Sequence, residues 1–241
     1  MSKLFSFFRR KQAEPVFSAV IVAAGSARRM EGIDKVLAPL GDIPVLARTL
    51  QVFQNCPKIT EVVVVTREDL LVEISQMCKV YSLNKVSKIV VGGAERVLSV
   101  RAGLREARQD AQLIAIHDGA RPFLTQKVLC DVLDQAEKTG AAAPAVAVND
   151  TIKRAEAGIV EQTVDRSCLW AVQTPQVFQA DLIRAAVEKA VIDNAPVTDD
   201  CSAVERLGMK VVLTQGDREN IKVTTPFDMI LGQAILEARE E

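Results

Sequence analysis

The sequence predicts an α/β fold in three layers, a mostly parallel mixed sheet with helices on both faces and one protruding β-hairpin arm. Three observations carry that prediction. Apolar runs of strand length (FSAVIV, EVVVVT, KIVV, LIAIHD) alternate with segments whose apolar residues recur at helical spacing. Strand alternating with helix implies right-handed crossovers and parallel pairing. With 49% hydrophobic residues but only 4% aromatic, the core must be built from Val, Ile, Leu and Ala, the mixture found in buried parallel strands. Finally, AAGSARRM, GGAER and HDGARP each follow directly on a strand, and ligands of such sheets bind beyond the carboxyl ends of the strands. These separate segments should line one cleft.

Taken in order, FSAVIVAAG is an apolar run stopped by glycine, and PVLARTLQVFQ continues as a helix. EVVVVT is a strand, residues 69–80 a helix, KIVVGG a strand, and the stretch through Arg108 a helix. LIAIHD is a strand, residues 125–138 a helix, and AAAPAVAV a strand. Residues 148–170 then break the rhythm: they are polar and β-rich, with a turn at Ala157-Gly158 and no helical stripe. A hairpin of this size is hardly stable alone in water, so it should pack on a second subunit. The pattern resumes with helices at 180–192 and 200–207, a strand at KVVLTQ, a further strand starting within GDRENIKVT, and a closing helix from Pro226. The division is a disordered leader over residues 1–16 and a single domain over 17–241, with 148–170 as the dimerisation arm. The leader's Phe5, Phe7 and Phe8 leave a weak amphipathic membrane contact open beside plain terminal disorder.

Thirty basic and 31 acidic side chains give a net charge of -1, so no global field draws the protein to nucleic acid or an anionic membrane, and any anion site must be local. The five cysteines are odd in number and lack CxxC spacing, which favours reduced thiols in a cytoplasmic protein over a disulfide frame or zinc site. No apolar run reaches membrane-spanning length.

Ala23, Ala24 and Gly25 remove side-chain bulk at the end of the first strand, so backbone N–H groups can approach a phosphate or base, while Arg28, Arg29 and Lys35 bring positive charge to the same loop. Neither a GxGxxG nor a Walker loop is present. A tight turn with solvated cations is the plainer alternative. Gly92 and Gly93 precede Arg96 and Ser99, a turn into a helix start that either holds a polar ligand or caps the helix. Asp118 and Arg121 put a carboxylate, able to hold a hydroxyl or Mg²⁺, beside a guanidinium that can fork onto phosphate; bracing of the loop by this pair is the alternative. His117 is the sole histidine, and without a GxSxG elbow it makes no triad. Lys222, in GDRENIKVT, is a candidate phosphate binder.

The set AVIVAAGSARRM, GGAERVLSV, HDGARP, DTIKR, TVDR, LWAVQTPQVF and ENIKVTTPFDM resembles the 2-C-methyl-D-erythritol 4-phosphate cytidylyltransferase family, in order, over about residues 17–236. The resemblance implies a Rossmann-like, GT-A-like nucleotidyltransferase core, a homodimer joined through the arm, and CTP and a polyol phosphate as substrates, with Mg²⁺ or another divalent cation as cofactor. It further implies that Ala23, Ala24 and Gly25 hold cytosine and ribose, with Arg28 beside them. Arg29 and Lys35 would grip the triphosphate, and Gly92, Arg96 and Ser99 would read the base. Asp118 would face the ribose or metal, Arg121 the substrate phosphate, while Thr151 and Arg166 from the other subunit's arm, with Thr174 and Lys222, would position the methylerythritol phosphate. Arg29, Lys35, Arg166 and Lys222 are the catalytic set on this reading. The chain departs from the family pattern at Ala27, at Ala94 and in the run Asp34-Lys35-Val36. A ribitol 5-phosphate cytidylyltransferase is the nearest alternative, a hexose-1-phosphate nucleotidyltransferase a broader one, and an inactive nucleotide-binding homologue the alternative from another class.

Overall fold

The computed structural model describes residues 15–25 and 34–240. Arg28, Arg29, Ala27 and nearly all of the expected leader lie outside the described residues. In chain order the elements are β1 (Phe17–Val22), β2 (Pro39–Leu40), β3 (Ile43–Pro44), α1 (Val45–Asn55), β4 (Ile59–Thr66), α2 (Leu71–Val80), β5 (Val86–Val91) and α3 (Arg96–Glu106). There follow β6 (Leu113–Asp118), α4 (Gln126–Thr139), β7 (Ala141–Ala147), β8 (Lys153–Glu156), β9 (Ile159–Thr163), β10 (Trp170–Val172), β11 (Gln176–Gln179), α5 (Ala180–Ile192), α6 (Asp200–Glu205), β12 (Val212–Gln215) and α7 (Pro226–Glu240).

Eight strands form the main sheet in the order β5-β4-β1-β6-β11-β7-β10, with β12 also pairing β7. β1 runs parallel to β4 and β6, β4 to β5, and β12 to β7. The sheet is mixed because β11 enters antiparallel between β6 and β7. The sequence reading did not anticipate β11: it is four residues long, follows Pro175 and is bounded by glutamines. Its burial between two strands, not its composition, makes it a strand.

Alternation along the central strands sorts their side chains between two cores. Ala19, Ile21, Val62 and Val64 face α1, α2 and α4, whereas Val20, Val63, Val65 and Ile116 face α3, α5 and α6. Gly103 lets α3 lie close on the second face: a Cβ there would stand 2.4 Å from Val20 Cγ1 and 2.7 Å from Val65 Cγ2. The Thr125 hydroxyl accepts from the Val128 N–H at the start of α4, and Gly140, at φ 84°, ends that helix in the left-handed conformation.

β8 and β9 pair as the expected hairpin, turning at Ala157 (φ 48°) and Gly158 (φ 81°). Every residue of the two strands is exposed, Ile159 to 73% and Val160 to 56%. Residues 216–224, where a strand start is expected, form no strand. Instead the segment is pinned by side chains: the Gln173 amide donates to the Asp217 carbonyl at 2.7 Å, and the fully buried Asn220 donates to the Thr174 carbonyl at 3.0 Å. Bonds that a neighbouring strand would supply come here from inserted amides. Among the described residues no helix is long and apolar enough to cross a membrane.

Candidate active site

From β1 the chain moves outward to β4 and β5, then returns past β1 to β6. The strand order reverses there, and at such a reversal the connecting loops splay apart to leave a crevice. A cleft of about 750 Å³ occupies that place. Ala23, Ala24 and Gly25 line it from the end of β1, Arg96 and Ser99 from α3, Asp118 from the last position of β6, and Lys35 and Lys222 from loops. The three segments expected to converge do so.

Asp118 is the electrostatic centre. Lys222 Nζ lies 2.9 Å and Arg121 Nε 3.4 Å from its Oδ2, and Arg96 Nε lies 3.6 Å from Oδ1. Burial would raise this carboxyl, but Lys222, Arg96 and Arg121 hold it well below the usual carboxylate range. One fixed anion thus gathers three cations at the cleft wall. Val223 N–H donates to the Ala120 carbonyl at 2.8 Å, which seats the irregular segment 216–224 on the end of β6 and brings Lys222 over Asp118. Arg121 Nη1 donates to the Asn220 carbonyl at 2.7 Å, so its guanidinium braces the same segment.

Thr174 stands behind this wall, 5% exposed. Its hydroxyl oxygen accepts from the Asp118 N–H at 3.1 Å and lies 3.0 Å from His117 Nδ1. His117 Nε2 faces the Arg121 carbonyl at 3.2 Å, and a carbonyl can only accept. The proton therefore sits on Nε2, and Nδ1 accepts from Thr174. Full burial lowers the His117 pKa to about 4, so the ring is neutral near pH 7. His117 and Thr174 hold the backbone that aims Asp118, and the Thr174 hydroxyl is committed to that task rather than turned into the cleft.

Gly92 is needed for close approach: a Cβ would fall 2.6 Å from Ala24 Cβ and 2.7 Å from Ser99 Oγ. Ser99, 2% exposed, accepts from the Gly93 N–H at 3.1 Å and reaches back to the Glu95 carbonyl at 3.2 Å, so it ties the turn between β5 and α3. The Arg96 side chain is held by Asp200, Nη1 to Oδ1 at 2.9 Å and Nη2 to Oδ2 at 2.7 Å. Burial works against its charge, yet Asp200 and Asp118 raise its pKa above the ordinary guanidinium value. Despite the altered run around it, Lys35 is directed to the cleft by its neighbours. Asp34 Oδ2 pairs with Arg67 Nη2 at 2.6 Å, and the carbonyl of the buried Val36 accepts from the Leu46 N–H at 2.8 Å. Ala94 lines the cleft. Thr151 and Arg166 lie on the exposed arm, do not line the cleft of their own chain, and Arg166 donates to the Asn149 carbonyl.

Arg67 and Asp200 are residues the sequence reading missed. Arg67 follows directly on EVVVVT, and the strand-end rule that singled out Gly92 applies to it equally. Asp200 carries no such signal, since its partner Arg96 is 104 residues away. No group of three or more His, Cys, Asp or Glu side chains able to hold a metal occurs among the described residues. Two carboxylates line the cleft, the exposed Glu95 and an Asp118 already engaged by three cations, a set that suits a hard cation held mainly by phosphates and water, as Mg²⁺ commonly is.

The profile of the 2-C-methyl-D-erythritol 4-phosphate cytidylyltransferase family matches residues 17–238. An enzyme of that name from Halalkalibacterium halodurans is 46% identical over 225 residues, 93% of this chain and 98% of the relative. One from Geobacillus thermodenitrificans is 43% identical over 224 residues, with 92% and 98% covered. Among solved structures, a 4-diphosphocytidyl-2C-methyl-D-erythritol synthase from Anaerococcus prevotii superposes with a TM-score of 0.83 at 30% identity, covering 93% of this chain and 97% of that one. Such agreement spans the β1 loop, the β6 end and the Lys222 segment that build the cleft, and the chain belongs to the 2-C-methyl-D-erythritol 4-phosphate cytidylyltransferase family.

Proposed function

We propose that the protein transfers CMP from CTP to 2-C-methyl-D-erythritol 4-phosphate, giving 4-diphosphocytidyl-2-C-methyl-D-erythritol and pyrophosphate, a step of isoprenoid-precursor synthesis. The observation that carries the proposal is the gathering of Arg96, Arg121 and Lys222 on Asp118 at the mouth of the β1 loop. A phosphate oxygen of the polyol phosphate attacks the α-phosphorus of CTP, its new P–O bond forming as the bond to the bridging α–β oxygen breaks and pyrophosphate leaves. The work of the protein is to hold two polyanions in line and offset their charge.

Ala23, Ala24 and Gly25 offer a flat backbone to the nucleotide, with Gly92 and the α3 start across from it. Lys35, with Arg28 and Arg29, neutralises the triphosphate. Lys222 and Arg121 face the incoming phosphate. A divalent cation, Mg²⁺ above all, would be held mainly by the nucleotide phosphates, with Asp118 reaching it through water, and when bound would offset charge on the phosphates. The exposed, coreless arm supports a homodimer in which Thr151 and Arg166 complete the cleft of the other subunit. A cytoplasmic address fits its reduced thiols.

Pyrophosphate release with CTP and Mg²⁺, comparing methylerythritol 4-phosphate with ribitol 5-phosphate, tests the proposal. Preference for the first is expected. Preference for the second keeps the chemistry but overturns the substrate, and turnover of neither overturns the function.

A further inference from the structure

The Arg96 guanidinium is held by acid along two edges. Its Nη1 and Nη2 fork onto the two oxygens of Asp200 at 2.9 and 2.7 Å, and its Nε faces Asp118 at 3.6 Å. Asp200 is only 3% exposed, and its own place is set from a third element. Gln176, on β11 and 2% exposed, accepts with Oε1 from the N–H groups of Asp200 and Cys201, each at 2.9 Å. Its Nε2 donates to Asp199 at 2.8 Å. A chain of directed bonds therefore runs from β11 through α6 to Arg96 on α3, and an ion pair at 3.6 Å carries it on to the carboxylate that ends β6.

The two-pronged pair is directional, and a carboxylate this buried cannot be left without its counter-ion. Arg96 cannot swing onto a ligand without stranding Asp200. It is a fixed prop, and the way Asp118 is shared gives that prop a specific effect. Arg96 takes Oδ1 while Lys222 and Arg121 take Oδ2. With Arg96 loosened, Asp118 would stay tied to the cations on the polyol-phosphate side and lose its restraint on the nucleotide side.

We infer that Asp200 is a positioning residue for the nucleotide half of the site: through Arg96 it fixes the direction of the Asp118 carboxylate and the α3 start against which CTP lies. The inference rests on the function proposed above, and the experiment separates the two. Wild-type protein is first assayed with CTP and methylerythritol 4-phosphate, where inactivity counts against the function itself. Steady-state kinetics of Asp200→Asn then give the test, provided it melts close to wild type. The expected result is a KM for CTP raised about tenfold or more with the KM for the polyol phosphate within about twofold. Arg96→Lys should behave alike, and the double variant should be no worse than the weaker single, as expected of residues acting as one unit. An unchanged KM for CTP, an equal rise in both KM values, or additive losses would overturn the inference. If Asp200→Asn does not fold, the readout moves to wild-type protein with ¹⁵N-labelled arginine, Arg96 being assigned by the signals lost in Arg96→Lys. Separate Nη–H signals that persist when CTP is added are expected of a fixed fork, and their collapse to an averaged signal on CTP binding would overturn it.

Discussion

At the residue scale, the loop cation Lys35 separates chemistry from folding. It lines the cleft while its neighbours Asp34 and Val36 anchor the backbone, so removing its side chain leaves those anchors in place. Lys35→Ala should therefore lower kcat by about 100-fold or more, the cost typical of losing one group that stabilises transition-state charge, with a nearly unchanged melting temperature. Turnover near wild type would transfer its role to Arg28 or Arg29. His117 makes the opposite case, a residue that bears on stability through protonation. Its folded pKa of about 4 lies below its ordinary 6.5, so the unfolded chain takes up the proton first. The His117 contribution to stability is complete above pH 6.5, falls as the pH drops towards 4 and levels off below that, a loss of about 3 kcal/mol, while the depressed Asp118 carboxyl goes on losing its own contribution at lower pH. Urea unfolding across this interval should show that slope, and His117→Gln, which cannot take the proton, should flatten it.

At the element scale, α3 sets the depth of the site because Gly103 allows it to rest on β1 and β4. Helix propensity alone would have Gly103→Ala stabilise by about 1 kcal/mol. The new methyl would instead stand 2.4 Å from Val20 and 2.7 Å from Val65, both on central strands that cannot yield. Strain wins, and a net loss of about 1–3 kcal/mol is expected in the urea midpoint, with weaker CTP binding because the α3 start moves too. The helices of this protein were legible in the sequence wherever one apolar stripe faced one core, as in α1, α4 and α5. β11 and the segment 216–224 were not, because both depend on partners far along the chain: β6 and β7 for the first, Gln173 and Thr174 for the second.

At the scale of the whole molecule, the arm is the part the rest of the chain does not explain. It has an unmistakable turn and two paired strands, but no core of its own. If arm and body of different subunits build each site, Arg166→Ala and Lys222→Ala, each nearly inactive alone, should restore one another on mixing. Random assortment places one intact site in each mixed dimer, so about a quarter of wild-type activity is expected. No recovery after subunit exchange, verified by light scattering as dimeric protein, would confine the site to one chain.

By itself the sequence determined the α/β alternation, the hairpin and the three strand-end segments that meet at the cleft, since each rests on local pattern and on the rule that parallel strands deliver their ends to one edge. Lys222 and Asp118 were visible as candidates for the same reason. Only the tertiary structure decided that Asp118 gathers three cations, that Thr174 and His117 stand behind it, and that Asp200 holds Arg96. Apart from the Asp118–Arg121 pair, which the short spacing within HDGARP already offered, those relations join residues tens to a hundred positions apart. A charge buried at a strand end takes whichever partners the packing of layers brings within reach, and no local pattern in the chain encodes that choice.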